Sequence, residues 1–214
     1  IRQKEGTDML FNILVLFSFL LILLQLRRLV NVFPSLLACL IRWKESVNLE
    51  ASVKLSHDRD VLALSLTIPF CLIAFRYRLY APSFLDIEDS NAVLGLYFAI
   101  FTAYMLLRIL TSWLFRPSRI QHKISNAASK SSYTFFVIYT LMLLATGAVM
   151  GVINADEALV RHAMLWVSAF IYLLFLLRKM QIFASSSSVF AAFLYLCALE
   201  MIPTGILIVS AIIF

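Results

Sequence analysis

The sequence predicts an all-α fold, a polytopic membrane bundle of about six transmembrane helices with both termini on the outer side. Three observations lead to this prediction. Six long apolar stretches divide the 214 residues, hydrophobic residues make up 62% of the chain with a mean hydropathy of +0.92, and most basic residues fall between alternate stretches. A soluble domain needs only about 45 to 50% apolar residues to build its core.

The six stretches are long enough to be membrane-spanning helices. A helix that rises ~1.5 Å per residue needs about 20 residues to cross a hydrocarbon core of about 30 Å. Helices are expected because lipid forces each segment to satisfy its own backbone hydrogen bonds, and no stretch alternates with the period of two that a barrel strand requires. We treat the chain as one transmembrane domain, 1–214, with predicted spans at 9–26, 61–80, 92–115, 133–153, 158–177 and 189–214.

The second stretch fits a membrane span least well of the six. Its uninterrupted apolar part covers only residues 61–75, and Arg76 and Arg78 stand in its last turn. These two arginines would have to extend toward the headgroups for the segment to cross the bilayer. We retain the span because the run is dense in Leu and Ile, and because its removal would place the basic loop before the fourth stretch on the acidic side.

The longest connection, residues 29–60, is predicted to be an amphipathic and polar connector on the cytoplasmic side. Its first half holds an apolar run too short to span, which ends at Arg42, Trp43 and Lys44 and suits a helix lying in the membrane interface. Its second half is polar and evenly charged. A plain solvated connector and a partner-binding surface both fit that half.

The distribution of charge predicts the orientation. Lys and Arg gather in cytoplasmic loops, so the basic segments after the first, third and fifth stretches are expected inside the cell and both termini outside. The net charge of +6 then reflects topology and attraction to anionic lipid rather than nucleic-acid binding. Twelve of the 18 basic residues lie in these segments: Arg27, Arg28, Arg42, Lys44, Lys54, Arg59, Arg116, Arg119, Lys123, Lys130, Arg178 and Lys179.

Patterns of soluble-enzyme chemistry are absent from the sequence. His57, His122 and His162 lack the i, i+4 pairing of a metal-binding helix, and the chain has no GxSxG, P-loop or GxGxxG motif. We therefore predict no catalytic residue, no metal site and no cofactor. An intramembrane enzyme is the least favoured functional class because no nucleophile and base occur together.

The most informative polar residue within a stretch is Glu200, about twelve residues into the last one and thus near the expected midplane. A carboxylate there costs about 2.5 to 3.5 kcal/mol even on lenient insertion scales, so it should face protein or water. Cys197 and Thr204 share its helix face, and Pro203 is expected to kink the helix beside it. Such an acid next to a broken helix fits either an ion site of a transporter or a protonated packing clamp.

Two further features predict contacts between helices: candidate side-chain partners for Glu200, and a pair of glycines that allows close packing. Arg108 in the third stretch can reach Glu200 with its long side chain, or can extend to the cytoplasmic headgroups; Tyr104 is the second candidate partner of the acid. Gly147 and Gly151 form a GxxxG in the fourth stretch, which allows another helix to approach closely within the bundle or across a dimer.

One segment resembles a known family. The stretch Phe-Leu-Tyr-Leu-Cys-Ala-Leu-Glu-Met-Ile-Pro, residues 193–203, is similar to the C-terminal signature of a Bacteroidetes family of multi-pass inner-membrane proteins of unknown function. The basic segment around 42–60 and the apolar spans are similar too. Met201 replaces an expected aliphatic residue, whereas Glu200 and Pro203 match. The resemblance implies a bacterial inner membrane and supplies no catalytic residue.

Two functional classes then stand ahead of an enzyme. A structural, assembly or scaffolding component of the inner membrane fits the small size and the sparse intramembrane charge. A proton-coupled or lipid-handling transporter built on Glu200 and Arg108 is the alternative. A water-filled cavity reaching Glu200 would favour transport, and a sealed bundle would favour assembly. The expected partners are membrane lipids and either other inner-membrane proteins or a second copy of the chain, with no nucleic acid.

Overall fold

A computed structural model describes residues 2–79, 90–114, 122–185, 189–201 and 204. Within these ranges all regular structure is helical, which confirms the all-α prediction. A π-helical turn, Cys197–Met201, directly follows the last helix. The helices are α1 (Arg2–Ile41), α2 (Trp43–Ala51), α3 (Val53–Ser65), α4 (Thr67–Arg76), α5 (Ser90–Leu114), α6 (His122–Val152), α7 (Glu157–Ala184) and α8 (Val189–Leu196).

Four of these helices are long and apolar enough to cross a membrane: Leu10–Ile41, Ala92–Leu110, Asn126–Val152 and Glu157–Ala184. Many of their large apolar side chains point away from the protein, among them Leu16, Leu24 and Phe170. Broad apolar surface of this kind is rare on a soluble monomer but matches the hydrocarbon of a bilayer. The chain is therefore a helical membrane protein.

The first helix is much longer than predicted. We expected it to end near residue 26, but α1 continues to Ile41 and passes through Pro34 without a break in the helix. The first part of the predicted connector is thus a continuation of α1, not a separate helix in the interface. The basic residues that mark its predicted end lie within the helix, where Arg28 Nε is 3.6 Å from Asp58 Oδ1 of α3.

The second predicted span is divided between two helices. α3 ends at Ser65 and α4 begins at Thr67, with Leu66 between them. Pro69 has no N–H to donate to the carbonyl of Ser65, so the helical ladder is interrupted at this point. Neither piece alone is long enough to cross a bilayer. The predicted position of Arg76 in the last turn is confirmed, and its Nη2 lies 2.9 Å from Glu157 Oε1 at the start of α7.

α1 runs antiparallel to the combined α3 and α4. The ring centroid of Phe11 lies 5.9 Å from that of Phe75, whereas Arg28 pairs with Asp58 further along both helices. At the same end as Asp58, Arg178 of α7 donates from Nε to the carbonyl of Leu40 at 2.8 Å. The bundle therefore has one end marked by the Arg76–Glu157 pair and an opposite end marked by these basic contacts.

Two apolar clusters fill the bundle between these ends. One joins α1, α3, α6 and α7 around Val32, Leu62 and Phe135. The other joins α4, α5, α6 and α7 around Phe70 and Leu143. Since α6 and α7 contribute to both clusters, they form the central helix pair against which the remaining helices pack.

Candidate functional site

Glu200 lies at the centre of a buried cluster of charges. It belongs to the π-helical turn after α8 and is only 2% exposed. Its Oε1 accepts a hydrogen bond from Arg108 Nη2 at 2.8 Å and another from Lys179 Nζ. The contact between Glu200 and Arg108 that the sequence suggested is therefore present, and a second cation shares the same oxygen. We call Arg108, Lys179 and Glu200 the charge triad.

Lys179 was missed by the sequence analysis, which placed it in the loop after the fifth stretch. α7 continues to Ala184, so Lys179 is a helical residue and is 4% exposed. Its position follows the buried side of the helix, since Ile171, Phe175 and Ile182 are also buried. A spacing of four residues from Phe175 keeps Lys179 on that face. Extending the helical periodicity beyond residue 177 is the signal that would have found it.

An aromatic ring supports both cations of the triad. The guanidinium carbon of Arg108 lies 5.2 Å from the ring centroid of Phe175, and Lys179 Nζ lies 5.5 Å from it. A cation near the face of an aromatic ring gains electrostatic attraction, and more so where water is excluded. Phe175 thus helps to hold two positive charges close together in an apolar environment.

The triad is unbalanced in charge and in hydrogen bonding. With all three groups ionised, two cations and one carboxylate carry a net charge of +1. In addition, Glu200 Oε2 is buried and has no hydrogen-bond partner among the residues that the structure describes. A buried polar atom without a partner is costly in an apolar interior and commonly marks a functional group. Oε2 is therefore a position for a proton or a bound water.

The π-helical turn is tied to α7 beside the triad. Tyr172 Oη lies 2.5 Å from Thr204 Oγ1 and donates to the carbonyl of Glu200 at 3.3 Å. Single π-helical turns are rare in proteins, and those that occur are often found at functional sites. Thr204 thus lies near the triad, as its shared helix face suggested, whereas Cys197 contacts Met201 through sulfur at 3.6 Å. The predicted kink at Pro203 falls outside the described residues.

A cavity of about 580 Å³ lies between α4, α5, α6 and α7 and reaches Arg108, the member of the charge triad that lines it. Its walls are mainly apolar and rich in aromatic side chains, with Phe70, Phe101 and Phe136 packed together in the middle. Arg108 and Thr204 line one end, and Arg161, one turn into α7, lines the other. The volume falls within the range of about 300 to 1,000 Å³ typical of small-molecule sites.

Hydroxyl groups are distributed along this cavity. Tyr104, the second predicted partner of Glu200, is part of its lining, as are Tyr139 and Ser168. Tyr139 Oη and Ser168 Oγ are 2.7 Å apart and satisfy each other. The cavity therefore combines a wide aromatic surface with a few polar groups, a combination typical of small-molecule sites.

The two glycines of the GxxxG differ in their surroundings. A Cβ added at Gly147 would lie 3.2 Å from Met164 Cε of α7, so this glycine permits close packing within the bundle. A Cβ added at Gly151 would meet no atom of the described residues within 4 Å. The structure thus shows close packing at Gly147 and open space at Gly151 within the described part of the chain, and contact of Gly151 across a dimer stays a prediction.

Among the described residues, no group of three His, Cys, Asp or Glu side chains converges in a way that could hold a metal ion. Comparison with known proteins adds no assignment at this point. No family model matches the chain, and neither a curated protein nor a solved structure shows detectable similarity to it.

Proposed function

We propose that this protein is a multi-pass transporter of the bacterial inner membrane that moves an anionic amphiphile across the bilayer together with a proton bound at Glu200. The observation that supports transport most is the aromatic cavity that ends at Arg108, which is paired with Glu200 of the charge triad. The sequence favoured a structural or assembly role because of the small size and the sparse intramembrane charge, and a sealed bundle would have strengthened that preference. The cavity is the reason why we place the transport role first.

The proposed topology has six spans, with the basic ends of the helices in the cytoplasm and both termini in the periplasm. Contacts at one end of the bundle support it. Lys130 Nζ lies 3.4 Å from Glu50 Oε2, and Arg178 bonds the backbone of α1 at the same end. Collecting Lys and Arg residues at one end is what the positive-inside bias requires of a cytoplasmic face.

The triad lies nearer to the cytoplasmic boundary than its position in the last stretch suggested. Glu157 opens α7 at the periplasmic end, and Lys179 follows 22 residues later in the same helix. At ~1.5 Å per residue this separation is about 33 Å, close to the thickness of the hydrocarbon core. A proton bound at Glu200 is thus well placed for release to the cytoplasm, and the cavity covers most of the distance to the periplasm.

Competition for the two cations provides the coupling. While Glu200 is ionised, its carboxylate occupies Arg108 and Lys179. Protonation of the buried carboxylate removes its negative charge, leaves an excess of two positive charges and opens these donors to an anion from the cavity. Loss of the proton restores the internal ion pairs and displaces the anion. A charge buried without compensation is unstable. The site is therefore stable in two states, with both the proton and the anion bound or with neither of them bound.

The test follows the movement of a defined amphiphile. Radiolabelled hexadecyl phosphate is added to the outer leaflet of proteoliposomes, and the fraction that serum albumin no longer extracts is measured over time. The wild-type protein should accelerate this transfer, and an acidic exterior should accelerate it further. Glu200→Gln, which cannot exchange a proton, should abolish the dependence on the pH gradient.

A matched variant separates coupling from a general effect of lost charge. Glu157→Gln also removes one carboxylate, but that residue is exposed, pairs with Arg76 and lies at the end of the bundle opposite the triad. Transport by this variant should therefore equal transport by the wild type. Transfer no faster than in protein-free liposomes would reject the transport role. Stable association of the purified protein with other inner-membrane proteins, in the absence of transfer, would then support the assembly role.

A further inference from the structure

The end of the cavity opposite the triad contains an unsatisfied hydroxyl. Tyr97 lines the cavity and is 8% exposed, with its ring packed edge-on against Phe75 at 5.9 Å between centroids. Its hydroxyl has no hydrogen-bond partner among the residues that the structure describes. The hydroxyls of Tyr139 and Tyr172, which line the same cavity, both have partners. Tyr97 is therefore the cavity tyrosine whose donor is left for another group.

Two arginines contribute positive charge at this end of the cavity. Arg161 lines the same end of the cavity, and the charges of Arg161 and Arg78 both act on the Tyr97 hydroxyl. Arg78, two residues after the end of α4, has a φ of 45°, a left-handed conformation in which glycine is favoured. A non-glycine residue held there is a reason to look for a functional role. The exposed side chains of both arginines leave their guanidinium groups available to a ligand.

We propose that Tyr97 and Arg161 form an outer site for the anionic head of the amphiphile, whose apolar chain lies in the aromatic cavity and points toward Arg108. The head is a phosphate or carboxylate, since a phenol donates one hydrogen bond to such an oxygen and a guanidinium donates two in parallel. This inference rests on the proposed function in that the amphiphile is the transported molecule. It adds the place where the amphiphile first binds while Glu200 still occupies the inner cations.

The geometry sets the direction of the bound molecule. Arg161 and Phe175 line opposite ends of the cavity and are 14 residues apart in α7, which is about 21 Å of helix. A single long alkyl chain can extend along this length between the aromatic walls. An anion bound at Tyr97 and Arg161 therefore places the end of its chain near Met105 and Phe175, and an anion bound at Arg108 would place it near Leu79.

The experiment uses hexadecyl phosphate with a photoreactive diazirine at the chain end and the matching hexadecanol. Both are bound to the full-length protein in phosphatidylcholine nanodiscs at neutral pH, irradiated and mapped by peptide mass spectrometry. The phosphate should label α5 around Met105 and α7 around Phe175. Labelling concentrated at the end of α4 around Leu79 would overturn the outer site, because it would place the head at the inner end.

The half-saturating concentration for labelling then tests the two residues. Arg161→Gln and Tyr97→Phe should each raise it about tenfold for the phosphate, the effect of losing a hydrogen bond to a charged group, and should leave it unchanged for hexadecanol. Arg76→Gln and Tyr133→Phe are matched controls that remove the same groups outside the cavity and should change neither. An equal effect of the site variants on phosphate and alcohol would contradict head recognition.

Two further comparisons complete the experiment. The first identifies the source of the ligand, and the second distinguishes failure of the outer site from failure of transport. Competition by added phosphatidylglycerol would support the anion site and assign it to a bilayer lipid, whereas the absence of competition would support it with a free single-chain amphiphile. If head-dependent labelling is found without transfer across liposomes, the outer site stands and transport fails. If transfer occurs but Arg161→Gln and Tyr97→Phe leave labelling unchanged, transport stands and the outer site fails.

Discussion

Neutralising Glu200 should destabilise the protein far more than neutralising Lys179. The triad carries two positive charges and one negative charge, so Glu200→Gln leaves the buried Lys179 and the partly buried Arg108 without a counter-charge. Lys179→Met leaves Arg108 and Glu200 as a balanced pair, and Met retains most of the apolar volume of the lysine stem. The sign and size of the two changes therefore follow from counting the charges that remain.

The expected loss of stability follows from the burial of the triad charges. Removal of one partner from a buried ion pair destabilises a protein by about 3 to 5 kcal/mol, because an uncompensated charge is left behind. Each 1.4 kcal/mol is a tenfold change, so Glu200→Gln should raise the unfolding equilibrium constant roughly 100- to 4,000-fold. For Lys179→Met we expect a change below about 1 kcal/mol, since replacing buried charge by an apolar group of similar volume is often neutral.

The measurement is reversible unfolding by dodecyl sulfate in mixed micelles, followed by circular dichroism. Glu157→Gln serves as the control, since an exposed pair contributes about 0 to 1 kcal/mol. Adding Lys179→Met and Arg108→Leu to Glu200→Gln should recover most of the lost stability, because the triple variant has no charge left in the site. Equal losses for Glu200→Gln and Lys179→Met, or additive losses in the triple variant, would refute the account of the triad as three coupled charges.

Three other predictions address the rest of the fold. Arg59 is 1% exposed and pairs with Glu50 and Asp60, so Arg59→Met should lower the free energy of unfolding by about 3 to 5 kcal/mol in the same assay. Gly147→Leu should cost about 1 to 3 kcal/mol through overpacking, whereas Gly151→Leu should be neutral; the opposite order would contradict the open space at Gly151. A cysteine at position 123, in a chain without its native cysteines, should resist an impermeant thiol reagent added from the periplasmic side, and its labelling from that side would reverse the proposed topology.

The sequence predicted the helical membrane fold because lipid leaves few alternatives. Long apolar stretches must form helices there, so the four long helices coincide with predicted stretches. Boundaries were less predictable. We ended the first helix at Arg27 and Arg28 on the assumption that charge marks the edge of the membrane, but Asp58 of a neighbouring helix pairs with Arg28 and allows α1 to continue. The local sequence of α1 contains no information about that partner.

The sequence predicted only those site residues whose charge is costly to bury in a membrane. Glu200 attracted attention because a carboxylate in an apolar stretch needs a partner, and Arg108 was a cation within reach. Lys179 was overlooked because it follows Arg178, and two adjacent basic residues indicate a cytoplasmic loop. On a helix, adjacent residues point about 100° apart, so one of the two can face the headgroups while the other faces the bundle.

The adjacent residues Arg178 and Lys179 face different surroundings, and this bears on the function of the charge triad. Arg178 bonds the carbonyl of Leu40 at the surface of the bundle, whereas Lys179 bonds Glu200 inside it. A membrane protein that needed Glu200 only as a packing clamp would require one donor, and Arg108 already supplies it at 2.8 Å. The second cation makes the site positively charged instead of neutral. Because a net positive charge in an apolar interior is stabilised by an anion, the presence of Lys179 argues for a site that is complete only when an anion arrives.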